Sequence, residues 1–186
     1  TATGAAGFAA AQGVFDTALS ARISVLAKGL QNHAVAHVHV QMGKLHIGLG
    51  LMTYVLGAIA AGTSVNSYQA NWEQTVRSGN GEAQAGAIMS MAGSGGLLAS
   101  NLYGFGHTLY ATSIVFLAKH GAARTAAWAA AGARLSSVFF RANLVGALFT
   151  ALELGGNYLY NHYNTSAHDQ WLQSTPWGRD ASKRKS

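Results

Sequence analysis

Histidine supplies the most reactive side chains of this sequence. Eight His and no Cys occur among 186 residues. His33 and His37 are four residues apart, so on a helix they share one face and could bind one metal ion or a haem iron, with His39 and His46 nearby. No Asp or Glu lies between residues 16 and 73, so a carboxylate to ligate a metal or orient an imidazole is missing locally. We therefore expect no cofactor, and a haem- or metal-binding helical bundle is the weakest alternative.

Other catalytic patterns are weaker still. The six acidic residues are scattered, with no close pair in the sequence and no phosphate-binding glycine loop. Gly93-Ser94-Gly95 looks like part of a nucleophile elbow, but that motif follows a strand and the pattern here is helical. We expect the protein not to be an enzyme and assign it no catalytic residue.

The charge composition favours contact with an anionic surface. Charged residues make up 10% of the chain, against about 25% in ordinary soluble domains. The formal net charge is +6, which suits nucleic acid or phospholipid headgroups. Long apolar segments favour lipid, so we expect an anionic phospholipid membrane as the partner and no nucleic acid.

Two long stretches lack any Asp, Glu, Lys or Arg: Leu45 to Trp72 and Ala83 to Ala118. About 20 apolar residues suffice for a helix to cross a bilayer. Ser78-Gly79-Asn80-Gly81 between them is typical of a turn, which predicts a hydrophobic helical hairpin over residues 45–118. Its expected apolar surface comprises Leu45, Leu51, Tyr54, Leu56, Ile59, Ile88, Leu97, Leu98, Ile114 and Phe116.

Small residues recur within the second arm of this hairpin. Ala92, Gly96, Ser100 and Gly104 fall every four residues and form a ridge along which another helix can approach closely, as in membrane helix pairs. A tightly packed soluble bundle uses the same ridge, so both environments remain open.

Helical patterns also flank the hairpin. An amphipathic helix is predicted from Val14 to Leu30, the first hairpin helix is expected to begin near Gly43, and a further helix covers residues 122–161. A short helix is expected before Pro176. Together they predict one all-α domain over residues 1–186, a bundle of four or five helices with the hydrophobic hairpin at its centre.

One side of the helix over residues 122–161 is basic. Arg134, Ser137 and Arg141 are spaced i, i+3, i+7 and so share one side of that helix. This polar face could meet lipid phosphates or line a wet pathway through a membrane. A solvated basic face is the alternative.

The C-terminal segment has a Tyr/Asn-rich stretch followed by a WL…PWG pattern. Leu152 to Asp180, LELGGNYLYNHYNTSAHDQWLQSTPWGRD, resembles over about 29 residues the ending of large type VI secretion effectors of the VasX kind. The resemblance, with an interfacial segment at residues 157–180, is carried by Asn157, Tyr160, Tyr163, Asn164, Trp171, Leu172, Pro176, Trp177 and Gly178.

This resemblance implies a pore-forming antibacterial toxin. Such a protein is secreted by its producer, delivered to a target cell and inserted into the inner membrane, where an ion-permeable pore dissipates the membrane potential. A cognate immunity protein neutralises it. The chain starts at Thr1 and is then expected to be the C-terminal fragment of a larger protein. One hairpin cannot enclose an aqueous pore, which favours a homo-oligomer. The leading alternative is a resident integral membrane protein or anchor without pore activity.

Overall fold

The structure, a computed structural model, describes residues 32–164 and the helical positions Ala18, Ala21 and Arg22. Three helices follow one another in this part of the chain: α1 is Asn32–Ser78, α2 is Gly81–Leu117 and α3 is Ala122–Tyr163. With 47 residues, α1 is about 70 Å long at 1.5 Å per residue. The connections between helices are short, which places successive helices antiparallel.

The all-α fold class is confirmed, because every regular element in the described ranges is a helix. In the described ranges the bundle has three helices over residues 32–163, not the four or five expected of the whole chain. The first hairpin helix does not begin at Gly43, since α1 runs through it without interruption. Gly43 instead allows the backbone of α1 to pack against that of α3 at Gly132. Apart from Ala18, Ala21 and Arg22, the predicted helix over 14–30 lies outside the described residues, as does the short helix predicted before Pro176.

Asn80 fixes the end of the bundle where α1 turns into α2. Its side-chain oxygen accepts a hydrogen bond from the Ala83 backbone N–H at 3.0 Å, which caps the start of α2. Its amide nitrogen donates to the backbone carbonyl of Tyr163 at 2.7 Å, at the end of α3. Gly79 before it has φ 70°, a left-handed conformation that glycine adopts without strain. One side chain therefore links the start of α2 to the end of α3.

Large apolar side chains lie on the outside of the bundle. Phe116 is 73% exposed, Leu148 67% and Phe140 69%, and many others are similarly open. The fully buried side chains include several polar ones: His46, Thr75, Ser90, Ser94 and Thr108. Soluble domains normally bury their large apolar residues and expose polar ones. This bundle has much of its apolar surface outside and a partly polar interior.

Two helices are long and apolar enough to cross a membrane. They are α1 from Ala34 onwards and α3, and only 28% and 22% of their most apolar segments are buried. The second arm of the predicted hairpin, α2, does not meet the same measure in the described chain. Its Gly, Ser, Asn, Thr and His residues lower its hydropathy, and many of its small residues are buried between its neighbours.

Candidate functional site

A groove with a volume of about 770 Å³ lies among the three helices, in the middle of the bundle. We call it the central groove. Apolar and small residues make up most of its wall, including Tyr54, Gly57 and Leu97. Its polar lining consists of Thr53, Ser64, Ser100, Asn101, Asn143, Thr150 and Glu153. Glu153 is the one charged residue among the described residues that line it.

All three helices meet at Glu153. Its side chain, on α3, lies near the Tyr68 hydroxyl of α1. The Ser90 hydroxyl of α2 donates to the Glu153 backbone carbonyl at 3.3 Å. Gly93 has no side chain, so the backbone of α2 lies directly against that of α3 at Glu153. Glu153 is half-buried, and these contacts hold a carboxylate within an otherwise uncharged stretch of helix surface.

A second polar contact lies nearer the start of α1. The His46 Nε2 and Ser136 Oγ atoms are 3.0 Å apart, and the His46 side chain is 1% exposed. Its ring also lies against that of Phe139, with a centroid distance of 5.5 Å. The hydrogen bond joins α1 to α3 at a buried imidazole.

The remaining histidines do not assemble into a metal site in the part of the chain that the structure describes. No group of three or more His, Cys, Asp or Glu side chains lies close enough there to hold a metal ion. His37 is exposed and His39 is half-buried. The side chain of His33 is not among those described.

The predicted basic face lies on the outside of the bundle. Arg134, Ser137 and Arg141 are all exposed, and none of them lines the central groove. The Arg134 guanidinium lies 4.9 Å from the centroid of the Tyr110 ring, a cation–π contact with α2. The polar surface inside the bundle therefore comes from residues other than this face.

The four residues of the predicted ridge have different surroundings. Gly96 lies against the Phe149 ring and Gly104 against the Tyr54 ring. The Ser100 hydroxyl donates to the Ala142 backbone carbonyl at 3.1 Å. Ala92 is exposed. Three of the four positions thus contact neighbouring helices, two of them through aromatic side chains.

The closest backbone contacts of α2 involve a different set of small residues. Gly86 and Gly93 lie against the backbone of α3, and Ser90 lies against Gly156. Their spacing of four and three residues places them on one helix face. The same spacing is visible in the sequence as Gly86-x₃-Ser90-x₂-Gly93. The sequence does not indicate that Gly156 of α3 packs against Gly86 and Ser90.

The residues of the predicted apolar surface of the hairpin differ in their exposure. Tyr54 is buried and contacts Phe139 and Ala142. Half-buried are Leu45, Leu51, Leu56, Leu97 and Leu98, while Ile59, Ile88, Ile114 and Phe116 are exposed. The exposed members provide the outward apolar surface described above.

The C-terminal motif is partly described. Tyr160 is buried against Ala83 and Ala87 near the turn, with Trp72 packed beside them. Asn157 is half-buried, Tyr163 is exposed and Asn164 follows the last residue of α3. Trp171, Leu172, Pro176, Trp177 and Gly178 lie outside the described residues. In the described half of the motif, Tyr160 supports the packing of α2 against α3.

Comparison with protein-family models, with curated proteins and with solved structures finds no match to this chain.

Proposed function

We propose that this chain is a toxin domain that inserts into the inner membrane of a target bacterium and forms an ion-permeable pore. The observation that carries the proposal is the distribution of side chains. Large apolar residues such as Phe140 and Leu148 face outwards, while polar residues such as His46 and Ser94 are buried. Lipid favours such a surface, whereas in water it exposes apolar area without compensation.

The packing between helices supports residence in lipid. Lipid chains are as apolar as Leu, so helices in a bilayer associate through close van der Waals contact and interhelical hydrogen bonds. Gly86 and Gly93 bring α2 onto the α3 backbone. Hydroxyl groups such as those of Ser90 and Ser100 donate to backbone carbonyls of the facing helix. These contacts hold the bundle together without a large hydrophobic core.

The central groove supplies the ion pathway in this proposal. Its hydroxyl, amide and carboxylate groups can replace water around an ion, as pore-lining groups do in channels. A groove on one three-helix unit does not enclose a pore. We therefore propose a homo-oligomer in which several copies place their grooves around a common axis.

The biological role rests on the C-terminal segment. Its resemblance to VasX-like effectors supports delivery from a producer cell, action on the inner membrane and neutralisation by a cognate immunity protein. The net charge of +6 supports initial attraction to anionic phospholipid.

Ion flux across liposomes tests the proposal. The purified chain is added to vesicles of phosphatidylethanolamine and phosphatidylglycerol that carry a potassium gradient and a potential-sensitive dye. We expect loss of the potential while a large trapped dextran stays inside. Binding to the vesicles without any loss of potential would instead indicate an anchor or a resident membrane protein.

Expression in cells adds a test of toxicity. The chain is produced in a bacterium with and without a periplasmic targeting sequence, and membrane potential is followed by fluorescence. We expect depolarisation and growth arrest with periplasmic targeting, since a toxin acts from that side. Normal growth with membrane-inserted protein on both routes would contradict a toxin.

A further inference from the structure

We infer that the pore is selective for cations and that the Glu153 carboxylate is the group that selects them. This inference rests on the proposed pore and adds the class of ion that it conducts. It begins from a contrast between the whole chain, with its formal net charge of +6, and the central groove, where Glu153 is the one charged residue of the described lining.

Two basic residues on the same helix as Glu153 lie on another surface. Arg134 and Arg141 are on the same helix as Glu153, but both are exposed on the outside of the bundle and neither lines the groove. Arg134 is also engaged with the Tyr110 ring. Within the described lining, an ion in the groove therefore has a negative charge beside it and no positive charge. Local charge of this kind sets the sign of the preferred ion in channels.

The uncharged polar lining also suits a cation. Ser64, Ser100 and Thr150 carry hydroxyl oxygens, and Asn101 and Asn143 carry amide oxygens. Alkali cations and other hard cations bind through oxygen atoms. Several of these donor groups are already used: the Ser100 hydroxyl donates to a carbonyl of α3, and the Thr150 hydroxyl donates to the Gly146 carbonyl. A hydroxyl that donates its hydrogen still has oxygen lone pairs with which it can bind a positive ion.

The neighbours of Glu153 place it where the three helices meet. The Tyr68 hydroxyl of α1 lies near its side chain, and the Ser90 hydroxyl of α2 donates to its backbone carbonyl. Gly93 allows α2 to support the same turn of α3. The backbone of Glu153 is thus held against α2, and its side chain belongs to the groove lining. A ring of such carboxylates, one from each copy in an oligomer, is the arrangement that favours cations in known types of channel.

Reversal potentials in planar bilayers test the inference. The full 186-residue chain is added to bilayers of phosphatidylethanolamine and phosphatidylglycerol with a potassium chloride gradient, and the potassium-to-chloride permeability ratio is measured. We expect the wild type to prefer potassium. Glu153→Gln should lower the ratio by more than about fivefold, because a unit charge at roughly 4 Å in water enriches potassium by about that Boltzmann factor and also depletes chloride.

Two variants control for charge and for position. Glu153→Asp keeps the negative charge and should keep the potassium preference. Glu73→Gln makes the same chemical change at an exposed carboxylate near the end of α1, outside the groove lining, and should leave the ratio unchanged. A third variant, Thr150→Lys, keeps Glu153 and adds a positive charge to the groove lining. It should lower the potassium preference even if Glu153→Gln does not fold.

The outcomes separate the two proposals. Channels that prefer chloride in the wild type, or a ratio unchanged by a folded Glu153→Gln, would overturn the cation inference and leave the pore proposal standing. The absence of any conductance would overturn the proposed pore and the inference together. Circular dichroism of each variant in the same lipid identifies a loss of fold. If Glu153→Gln does not fold, an unchanged ratio in Thr150→Lys overturns the inference, because the groove then does not line the ion pathway.

Discussion

Gly43 of α1 packs against Gly132 of α3 with no side chain between the two backbones. A Cβ atom on Gly132 would lie 2.7 Å from the backbone nitrogen of Gly43 and closer still to the carbonyl oxygen of His39. Backbone atoms cannot move aside as a flexible side chain can, so the two helices would have to separate. This contact fixes the crossing of α1 and α3 at the end of the bundle where α3 begins.

Replacement of Gly132 should therefore destabilise the bundle. We expect Gly132→Ala to lower the free energy of unfolding by about 1–3 kcal/mol, the usual range for overpacking a close contact. Thermal unfolding in detergent micelles, followed by circular dichroism, measures the change. Gly48→Ala is the matched control, because a Cβ at exposed Gly48 meets no atom within 4 Å. It should be neutral or stabilising by up to about 1 kcal/mol, since Ala is the better helix former. Equal destabilisation by both would contradict this interpretation.

The His46–Ser136 hydrogen bond gives a second prediction. Ser136→Ala removes the hydroxyl that lies 3.0 Å from a ring nitrogen of an almost fully buried imidazole. We expect a loss of about 1 kcal/mol in the free energy of unfolding, typical of a net hydrogen bond. Ser137→Ala, at the exposed neighbouring position, should change stability by less than about 0.5 kcal/mol. The pair is compared by chemical unfolding in the same micelles, and a larger effect at Ser137 would refute the assignment.

Much of the fold follows from local sequence signals. The turn around Asn80 has capping chemistry that can be recognised within a few residues, and part of the helix over 122–161 has apolar residues at helical spacing. By contrast, a glycine is ambiguous in isolation. The sequence predicts a helix start near Gly43, but Gly43 lies within α1. Its packing partner, Gly132, lies 89 positions further along the chain. Only the three-dimensional register shows that the two meet.

The interior of the site was harder to foresee than the helices. The sequence predicts a polar face at Arg134 and Arg141, because these charged residues are spaced along one side of an apolar helix. It predicts no role for Glu153, which is one of six scattered acidic residues, and Tyr68 lies 85 positions before it. Their proximity depends on the relative rotation and shift of α1 and α3, which close contacts at glycines determine. Helix periodicity indicates faces but does not indicate which faces oppose each other.

Asn80 provides a third prediction, because its side chain has two roles. It accepts a hydrogen bond from Ala83 at the start of α2 and donates one to Tyr163 at the end of α3. We expect Asn80→Ala to reduce the free energy of unfolding by about 2 kcal/mol, at the upper end of the range for a lost helix cap. Asn66→Ala, at an exposed position within α1, should be neutral or slightly stabilising. Hydrogen exchange should show faster opening at the turn in Asn80→Ala alone; uniform exchange across the bundle would contradict a local role.

A fourth prediction, for a substitution of Leu148, tests whether the outward apolar surface contacts lipid. Its side chain is 67% exposed on α3, one of the two helices with the length and composition of a membrane span. In a water-soluble bundle, Leu148→Lys would change stability by less than about 0.5 kcal/mol, as surface substitutions usually do. Near the middle of a bilayer, the same change is unfavourable by about 3 kcal/mol, which lowers membrane affinity on the order of a hundredfold.

Co-sedimentation with phosphatidylethanolamine and phosphatidylglycerol vesicles measures this affinity directly. Gln74→Lys adds the same charge at an exposed polar position near the end of α1, and it should bind at least as well as the wild type because anionic lipid attracts the added lysine. A large loss for Leu148→Lys with none for Gln74→Lys places the α3 surface in the hydrocarbon region. Equal binding of Leu148→Lys and the wild type would show that this surface stays out of lipid, and the apolar exterior would then need a protein partner instead.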